Sequence, residues 1–192
     1  MLPSAWTPSP PPATVLIVGA HIGAVACLLA ERFPAARLTC VEPSPSSVRF
    51  LRQNLAQNGF SDRAQVVPAA LARRDGEVEL WAPEQAFFAA STSPRAGPSR
   101  RVRAMSFASL IVATGGPPQL VSLSCAGGEL AAISAENLSQ WSAVHHLFLE
   151  VGPSAQPHFQ KMQELLASAG LRLVRLRRDT RFLGVSKAYF AR

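Results

Sequence analysis

The sequence predicts an α/β fold in which a mostly parallel sheet of seven strands carries helices on both faces and ends in an antiparallel hairpin. Short β-branched runs alternate with amphipathic segments along most of the 192 residues, which requires right-handed crossovers between parallel strands. The last two apolar runs are separated only by a short turn at residues 178–180, so they predict a hairpin. The length and an apolar fraction of 48% suit one globular domain.

The first half of the chain gives the clearest elements. They are strand 14–18, helix 23–33, strand 37–41, helix 45–58 and strand 64–67. The first strand is apolar and ends in a glycine turn, and Pro34 closes the helix that follows. Val48, Leu51 and Leu55 lie at helical spacing, and Asn58-Gly59 supplies a helix stop.

The second half contains the less regular elements. Its predicted strands are 76–81, 101–105, 120–123, 146–151, 171–176 and 182–190, with helices at 107–112, 128–141 and 157–169. Val78 and Leu80 alternate with glutamates, as in a half-exposed strand, and 101–105 is predicted to pair with that strand. Residues 83–99 are rich in Pro, Ser, Ala and Gly and predict a loop.

The cysteines and the amino-terminal segment indicate the cellular compartment in which we expect the protein. Cys27, Cys40 and Cys125 lie far apart without C-x-x-C spacing, so we expect neither a metal site nor a disulfide framework. This pattern favours an intracellular, reducing compartment, either cytoplasmic or organellar. Residues 1–13 are Pro-rich and contain no basic residue, so they predict a leader rather than a targeting signal, ahead of a single domain at 14–192.

The net positive charge comes entirely from the second half of the chain, because the seven arginines of residues 1–90 are matched by seven acids. The net charge is +7, and residues 91–192 carry twelve Lys and Arg against five acids. Two arginine clusters, Arg95–Arg103 and Arg172–Arg181, provide most of this excess. Such clusters attract RNA or acidic protein partners, and the alternative is a solvated surface. The apolar run 15–30 is shorter than the roughly 20 residues that a membrane span requires.

A glycine turn follows the first predicted strand. Gly19-Ala20-His21-Ile22-Gly23 has G-x-x-x-G spacing, which differs from the G-x-G-x-x-G of a dinucleotide site and argues against an NAD-dependent oxidoreductase. The alternative for the turn alone is a tight connection without a ligand. Glu42, at the end of the second strand, stands where an acid can accept hydrogen bonds from ribose hydroxyls.

The segment that begins VLIVGAHIGAVACLLAERFPAARLTCVEPSPSSVRF, together with VVPAALARRDGEVELW, resembles the cofactor-binding half of the FkbM-type methyltransferases over residues 14–81. The resemblance implies a Rossmann-like class I methyltransferase fold and S-adenosylmethionine (AdoMet) as cofactor. It implies that Gly19, Ala20, His21 and Gly23 hold the methionine part of AdoMet, that Glu42 and Pro43 hold the ribose, and that Ala69 and Ala70 lie beside the base.

The second half departs from the family. Members carry a segment resembling L-K-I-D-x-E-G-A-E, and in the counterpart at 121–129 Ser122 replaces Lys, Ser124 replaces Asp and Ala126 replaces Glu. Methyl transfer to a hydroxyl requires a base, and Ser124 alone cannot provide one. Glu150 and Glu129 are therefore the candidate catalytic residues, and Ser124, Cys125 and His146 are the candidate substrate-binding residues.

Two hypotheses follow. The first is an AdoMet-dependent O- or N-methyltransferase that acts on a small molecule or glycan, as the resemblance implies. The second is a catalytically impaired domain that keeps the nucleotide pocket and serves as a structural, RNA-binding or protein-binding subunit. The lost residues of 121–129 and the basic second half favour the second hypothesis.

Overall fold

The apolar runs form strands in a computed structural model, which describes residues 6–81, 92, 97–125, 127–179 and 185–192. The strands are β1 Thr14–Val18, β2 Arg37–Val41, β3 Ala64–Val67, β4 Ala70–Leu71, β5 Gly76–Trp81, β6 Ser99–Met105, β7 Leu120–Leu123, β8 His146–Val151, β9 Arg172–Asp179 and β10 Val185–Ala191. The α-helices are α1 Ala24–Arg32, α2 Pro45–Gln57, α3 Phe107–Ala113, α4 Glu129–Ala132 and α5 Phe159–Ser168. Short 3-10 helices occupy Ser61–Arg63, Ala135–Trp141 and Gln156–His158.

Seven strands form the main sheet, in the order β3-β2-β1-β7-β8-β10-β9. The pairings are parallel from β3 through β8, and β10 runs antiparallel to both of its neighbours. This confirms the predicted Rossmann-like sheet with its antiparallel hairpin. The chain leaves β1 for β2 on one side and returns to β7 on the other, so the carboxyl end of β1 lies at a crevice where such sheets bind ligands.

Alternate residues of β1 pack into opposite layers, as expected for a central strand. Val15 and Ile17 join a core cluster with residues of α1 and α2, including Leu29 and Leu51. Leu16 and Val18 join a second cluster with residues of α3 and α5. Helices therefore cover both faces, as predicted.

A separate three-stranded sheet has the order β4-β6-β5. β5 and β6 are antiparallel, with Val78 opposite Val102, so the predicted pairing of 76–81 with 101–105 is confirmed. These strands lie outside the main sheet, which explains why nine predicted strands yield a seven-stranded main sheet. Most of the predicted loop 83–99 lies outside the described residues.

The prediction of one helix over 128–141 is wrong. α4 ends after one turn, Ser134 is extended, and a 3-10 helix follows. Two side chains take the carbonyl groups that a continuing helix would use: Trp141 Nε1 donates to Ala132 O at 3.1 Å and Asn137 Nδ2 to Ala131 O at 2.7 Å. The predicted helix 157–169 is also divided, into a 3-10 turn and α5.

The described part of the leader is attached to the domain through Trp6. Its indole Nε1 donates a hydrogen bond to the Tyr189 hydroxyl at 2.8 Å, and its ring meets those of Phe33 and Phe148 edge to face. Trp6 therefore lies against the face of the sheet that carries Phe148 of β8 and Tyr189 of β10. In the described part of the chain, none of the helices has the length and apolar character needed to cross a membrane.

Candidate functional site

The glycine turn after β1 is anchored to both neighbouring strands. The backbone N–H groups of Gly19 and Ala20 donate to Val41 O at 2.9 and 3.0 Å. Gly19 has φ +79°, and a Cβ built there would lie 1.9 Å from the carbonyl oxygen of Ser124. Glycine is thus required at position 19 both for its backbone conformation and for the close approach of the ends of β1 and β7.

The second glycine of the turn lies against α2. Gly23 has φ +97°, and an added Cβ would lie 2.8 Å from Leu51 Cδ1. Asn54 Nδ2 donates to Ile22 O at 2.7 Å, which fixes the turn from the same helix. Sequence reasoning missed Asn54, although a polar residue between Leu51 and Leu55 on an apolar helix face is a usable signal.

Glu42 connects the end of β2 to the glycine turn. Its Oε2 accepts the His21 N–H and its Oε1 accepts the Ser44 N–H, each at 2.9 Å. Burial raises the pKa of Glu42, while these two hydrogen bonds act in the opposite direction. Each carboxylate oxygen has a second lone pair, so Glu42 can accept two further hydrogen bonds. These two acceptor oxygens fit the two hydroxyl donors of a ribose diol.

The other residues predicted to surround the nucleoside lie at the same edge of the sheet. Pro43 is half-buried between Glu42 and Ser44, and the Glu42 N–H donates to Val67 O at the end of β3. Ala69 and Ala70 follow β3 and are both buried, with Ala70 paired to Ala104 in the second sheet. Ala69 therefore packs in the core beside this edge, and Ala70 joins β4 to β6.

The charges of three glutamates at the carboxyl edge of the sheet act on Cys125, just beyond β7. Burial raises the pKa of the Cys125 thiol well above its ordinary value, and the charges of Glu129, Glu150 and Glu42 raise it further. The ends of β2, β7 and β8 and the start of α4 supply these four side chains. The structure thus places all four residues, which come from separate elements, along the carboxyl edge of the parallel strands.

Glu129 is the most deeply buried of the three glutamates, with 1% of its surface exposed. Its Oε2 accepts the Gly127 N–H at 2.8 Å. Burial, helped by the charge of Glu150, raises its pKa from 4.5 to about 7. Glu129 can therefore exchange a proton near neutral pH.

Glu150 and the substrate-binding candidates are placed differently. The Glu150 side chain is 40% exposed and lies 4.0 Å from Lys187 Nζ. Ser124 is exposed beside the glycine turn, and its N–H donates to Val18 O. His146 begins β8, so it lies at the amino ends of the parallel strands, where its Nδ1 is 3.0 Å from the Tyr189 hydroxyl. The structure does not bring His146 to the site.

A metal centre is not evident at this edge. Within the described ranges, no group of three or more His, Cys, Asp or Glu side chains is placed to hold a metal ion. The described arginines of the two clusters lie on β6 and β9, and Arg95 and Arg181 lie outside the described residues.

Comparison with known proteins gives partial sequence relatives. No family model matches the chain. It is 31% identical over 83 residues to the tRNA1(Val) (adenine(37)-N6)-methyltransferase of Vibrio parahaemolyticus, covering 43% of this chain and 32% of that protein. It is 38% identical over 96 residues to the malonyl-[acyl-carrier protein] O-methyltransferase of Geobacter sulfurreducens, covering 48% and 35%. The chain therefore spans about a third of the length of these two curated relatives.

Solved structures share the fold at low sequence identity. Methanococcus jannaschii fibrillarin, a pre-rRNA processing protein, superposes with a TM-score of 0.61 at 8% identity, covering 97% of this chain and 69% of that one. Aeropyrum pernix fibrillarin, solved with natively bound S-adenosyl-L-methionine, gives 0.58 at 13% identity, covering 93% and 66%. The fold of this chain is the Rossmann-like fold of AdoMet-dependent methyltransferases.

Proposed function

We propose that this domain binds AdoMet between the glycine turn 19–23 and Glu42 and transfers its methyl group to an acceptor. The observation that carries the proposal is the buried Glu42 carboxylate, fixed by the His21 and Ser44 amides and still able to accept two hydrogen bonds. The methyltransferase relatives and the AdoMet held by A. pernix fibrillarin support it.

The negative charges at the carboxyl edge of the parallel strands suit a cationic cofactor. When bound, AdoMet would supply a methyl group on a positively charged sulfur. The carboxylates of Glu42, Glu129 and Glu150 all act on Cys125, so this edge favours a cation over an anion. The same arrangement disfavours the pyrophosphate of a dinucleotide, in agreement with the glycine spacing.

Glu129 is the residue we propose as the base. Its buried carboxylate is fixed by the Gly127 N–H, and its raised pKa allows it to accept a proton near neutral pH. The acceptor hydroxyl or amine would lose its proton to Glu129 as its lone pair forms the new bond to the methyl carbon, while the carbon–sulfur bond would break and leave its electron pair on the sulfur of a neutral thioether. Glu150 lies 4.0 Å from Lys187 Nζ and would contribute charge rather than proton transfer.

The finer assignment is an FkbM-type enzyme that methylates a small molecule or glycan. It rests on the resemblance of residues 14–81 to the FkbM-type methyltransferases. The relatives named above act on a tRNA adenine and on a malonyl-acyl carrier protein, so RNA and carboxylate acceptors belong in the same screen.

A second candidate is an AdoMet-binding domain without catalysis that serves as a subunit of an assembly. The observation that favours it is at Ser124, where a serine replaces the acid of the family segment at the end of β7. Its carbonyl oxygen lies against Gly19, so the backbone there is committed to packing.

Transfer of a labelled methyl group separates the two candidates. The wild-type chain, Glu129→Gln and the control Glu136→Gln, an exposed glutamate, would be incubated with methyl-labelled AdoMet and pools of glycans, small metabolites, acyl carrier protein and RNA. Label incorporation that falls at least 100-fold in Glu129→Gln alone supports the enzyme with this base. AdoMet binding without incorporation into any pool supports the second candidate. Unchanged incorporation in Glu129→Gln would exclude Glu129 as the base.

A further inference from the structure

Three strands at one end of the main sheet place nine residues in an array of three paired rows, with a β-bulge in β9 where the register shifts between Tyr189 and Phe190. Direct pairing across β9, β10 and β8 aligns the rows Arg177–Lys187–Glu150, Arg175–Tyr189–Phe148 and Arg172–Ala191–His146. Directly paired residues project from the same face of a sheet. Ala188 and Phe190, which alternate with these positions on β10, are buried in the core on the other face.

The outer column of this array is basic. Arg172, Arg175 and Arg177 are exposed on β9, the edge strand of the sheet, and Lys187 lies beside Arg177 on β10. Glu150 is the one acid among the nine residues. Lys187 lies 4.0 Å from the Glu150 carboxylate, so the excess positive charge of the array is carried mainly by the three arginines of β9.

The arginine cluster on β6 does not carry a comparable excess of positive charge. On β6, Arg101 and Arg103 are paired in register with Glu79 and Glu77 of β5, and Arg101 lies 3.4 Å from the Glu77 carboxylate. Their charge is therefore largely balanced within the second sheet. Of the two clusters that the sequence singled out, the one on β9 retains an excess of positive charge on one face.

The aromatic side chains of the middle row pack against each other and against Trp6. The Tyr189 ring stacks on Phe148 at 4.8 Å between centroids, and Trp6 packs against both rings. These rings are therefore committed to one another and not offered for stacking on bases. A ligand at this face would be recognised through its charge.

We propose that the basic face formed by Arg172, Arg175, Arg177 and Lys187 binds the phosphate backbone of a nucleic acid strand without regard to base sequence. The three arginines follow an extended strand at intervals of two to three residues, roughly 7–10 Å at about 3.3 Å per residue, and so form a line. Guanidinium groups bind phosphate oxygens in a bidentate manner. A line of such groups complements a linear polyanion better than a single acidic side chain.

The test is the binding of a fluorescently labelled RNA oligonucleotide of about 20 nucleotides to the full chain, followed by anisotropy between about 50 and 200 mM salt. The triple variant Arg172→Gln/Arg175→Gln/Arg177→Gln is compared with Arg100→Gln/Arg101→Gln/Arg103→Gln, which removes the same charge from β6. We expect at least tenfold weaker binding and a salt slope lower by about 2 for the first variant, since each phosphate contact on a single strand contributes about 0.7.

Additional binding measurements identify the class of ligand. DNA of the same sequence and RNA of scrambled sequence are expected to bind within about threefold of the first RNA, because phosphate contacts carry no sequence information. The proposal is overturned if the wild-type chain does not bind at low salt, if both triple variants weaken equally, or if polyglutamate of equal charge competes as well as RNA. AdoMet titration of the β9 variant should be unchanged, and RNA binding of Glu42→Ala should be unchanged, so failure here is distinguishable from failure of the AdoMet site.

Discussion

The backbone N–H of His21 donates a hydrogen bond to the Glu42 carboxylate at 2.9 Å, which joins the turn after β1 to the end of β2. Because the other carboxylate oxygen accepts the Ser44 N–H, Glu42 organises both borders of the crevice at the carboxyl edge. One buried side chain therefore has a structural role and is also placed to receive a ligand. Measurements of folding stability and of ligand binding distinguish the two roles.

Gly19→Ala is expected to destabilise the fold more than Gly59→Ala. Both glycines have positive φ, +79° and +72°, but only position 19 is crowded, since nothing lies within 4 Å of a Cβ at position 59. The backbone penalty alone is about 1–2 kcal/mol, and crowding against Ser124 should add about 1–3 kcal/mol. Urea unfolding measures both variants, and equal losses would mean that the ends of β1 and β7 are not in close contact.

Glu129→Gln is expected to change how stability depends on pH. The folded pKa of Glu129 is raised from 4.5 to about 7, so the folded state binds the proton more tightly than the unfolded state. The Glu129 contribution to the free energy of unfolding is therefore fully present below pH 4.5 and is lost as the pH rises to about 7, by roughly 3 kcal/mol in total.

The amide of Glu129→Gln does not titrate, so the stability of this variant relative to wild type should rise by about 3 kcal/mol between pH 4.5 and 8. Denaturant unfolding at a series of pH values measures this difference. Glu136→Gln, at an exposed position, should show a flat difference over the same range. If the stability difference between Glu129→Gln and wild type were also independent of pH, the Glu129 carboxyl of the wild type would be in contact with water.

Trp6 and Tyr189 are expected to be energetically coupled. Trp6→Phe removes the indole donor and Tyr189→Phe removes the hydroxyl that accepts it at 2.8 Å. Each change should cost about 1 kcal/mol, and a double-mutant cycle should give a coupling of about 0.5–1 kcal/mol. Strictly additive losses would show that the leader does not contact β10 in solution.

Local patterns predicted the elements in the first half of the chain well, because the glycine turn and Pro34 set the ends of strands and helices through neighbours only a few residues away. The break after α4 depends on Trp141 and Asn137, whose side chains reach back to carbonyl groups several residues earlier. Helical spacing cannot reveal such contacts.

The placement of His146 could have been predicted correctly. It is the first residue of the predicted strand 146–151, and Glu150 is the fifth. The rule that brings the carboxyl ends of parallel strands to one edge places Glu150 near Glu42 and His146 at the opposite edge. By contrast, the clustering of Cys125 with Glu129 depends on the short turn between them, which no local pattern specifies.

Calorimetric titration with AdoMet tests the central claim most directly, using the wild-type chain, Glu42→Ala and the control Glu31→Gln at an exposed position of α1. Unfolding curves first confirm that Glu42→Ala remains folded, and Glu42→Gln, which keeps one acceptor oxygen, replaces it otherwise. We predict a Kd of about micromolar order for the wild type and the control, and at least tenfold weaker binding for the Glu42 variant, since hydrogen bonds to a charged group contribute about 1.5–3 kcal/mol each. Absence of binding to the wild type at millimolar AdoMet, or equal affinity in the Glu42 variant, would contradict the account.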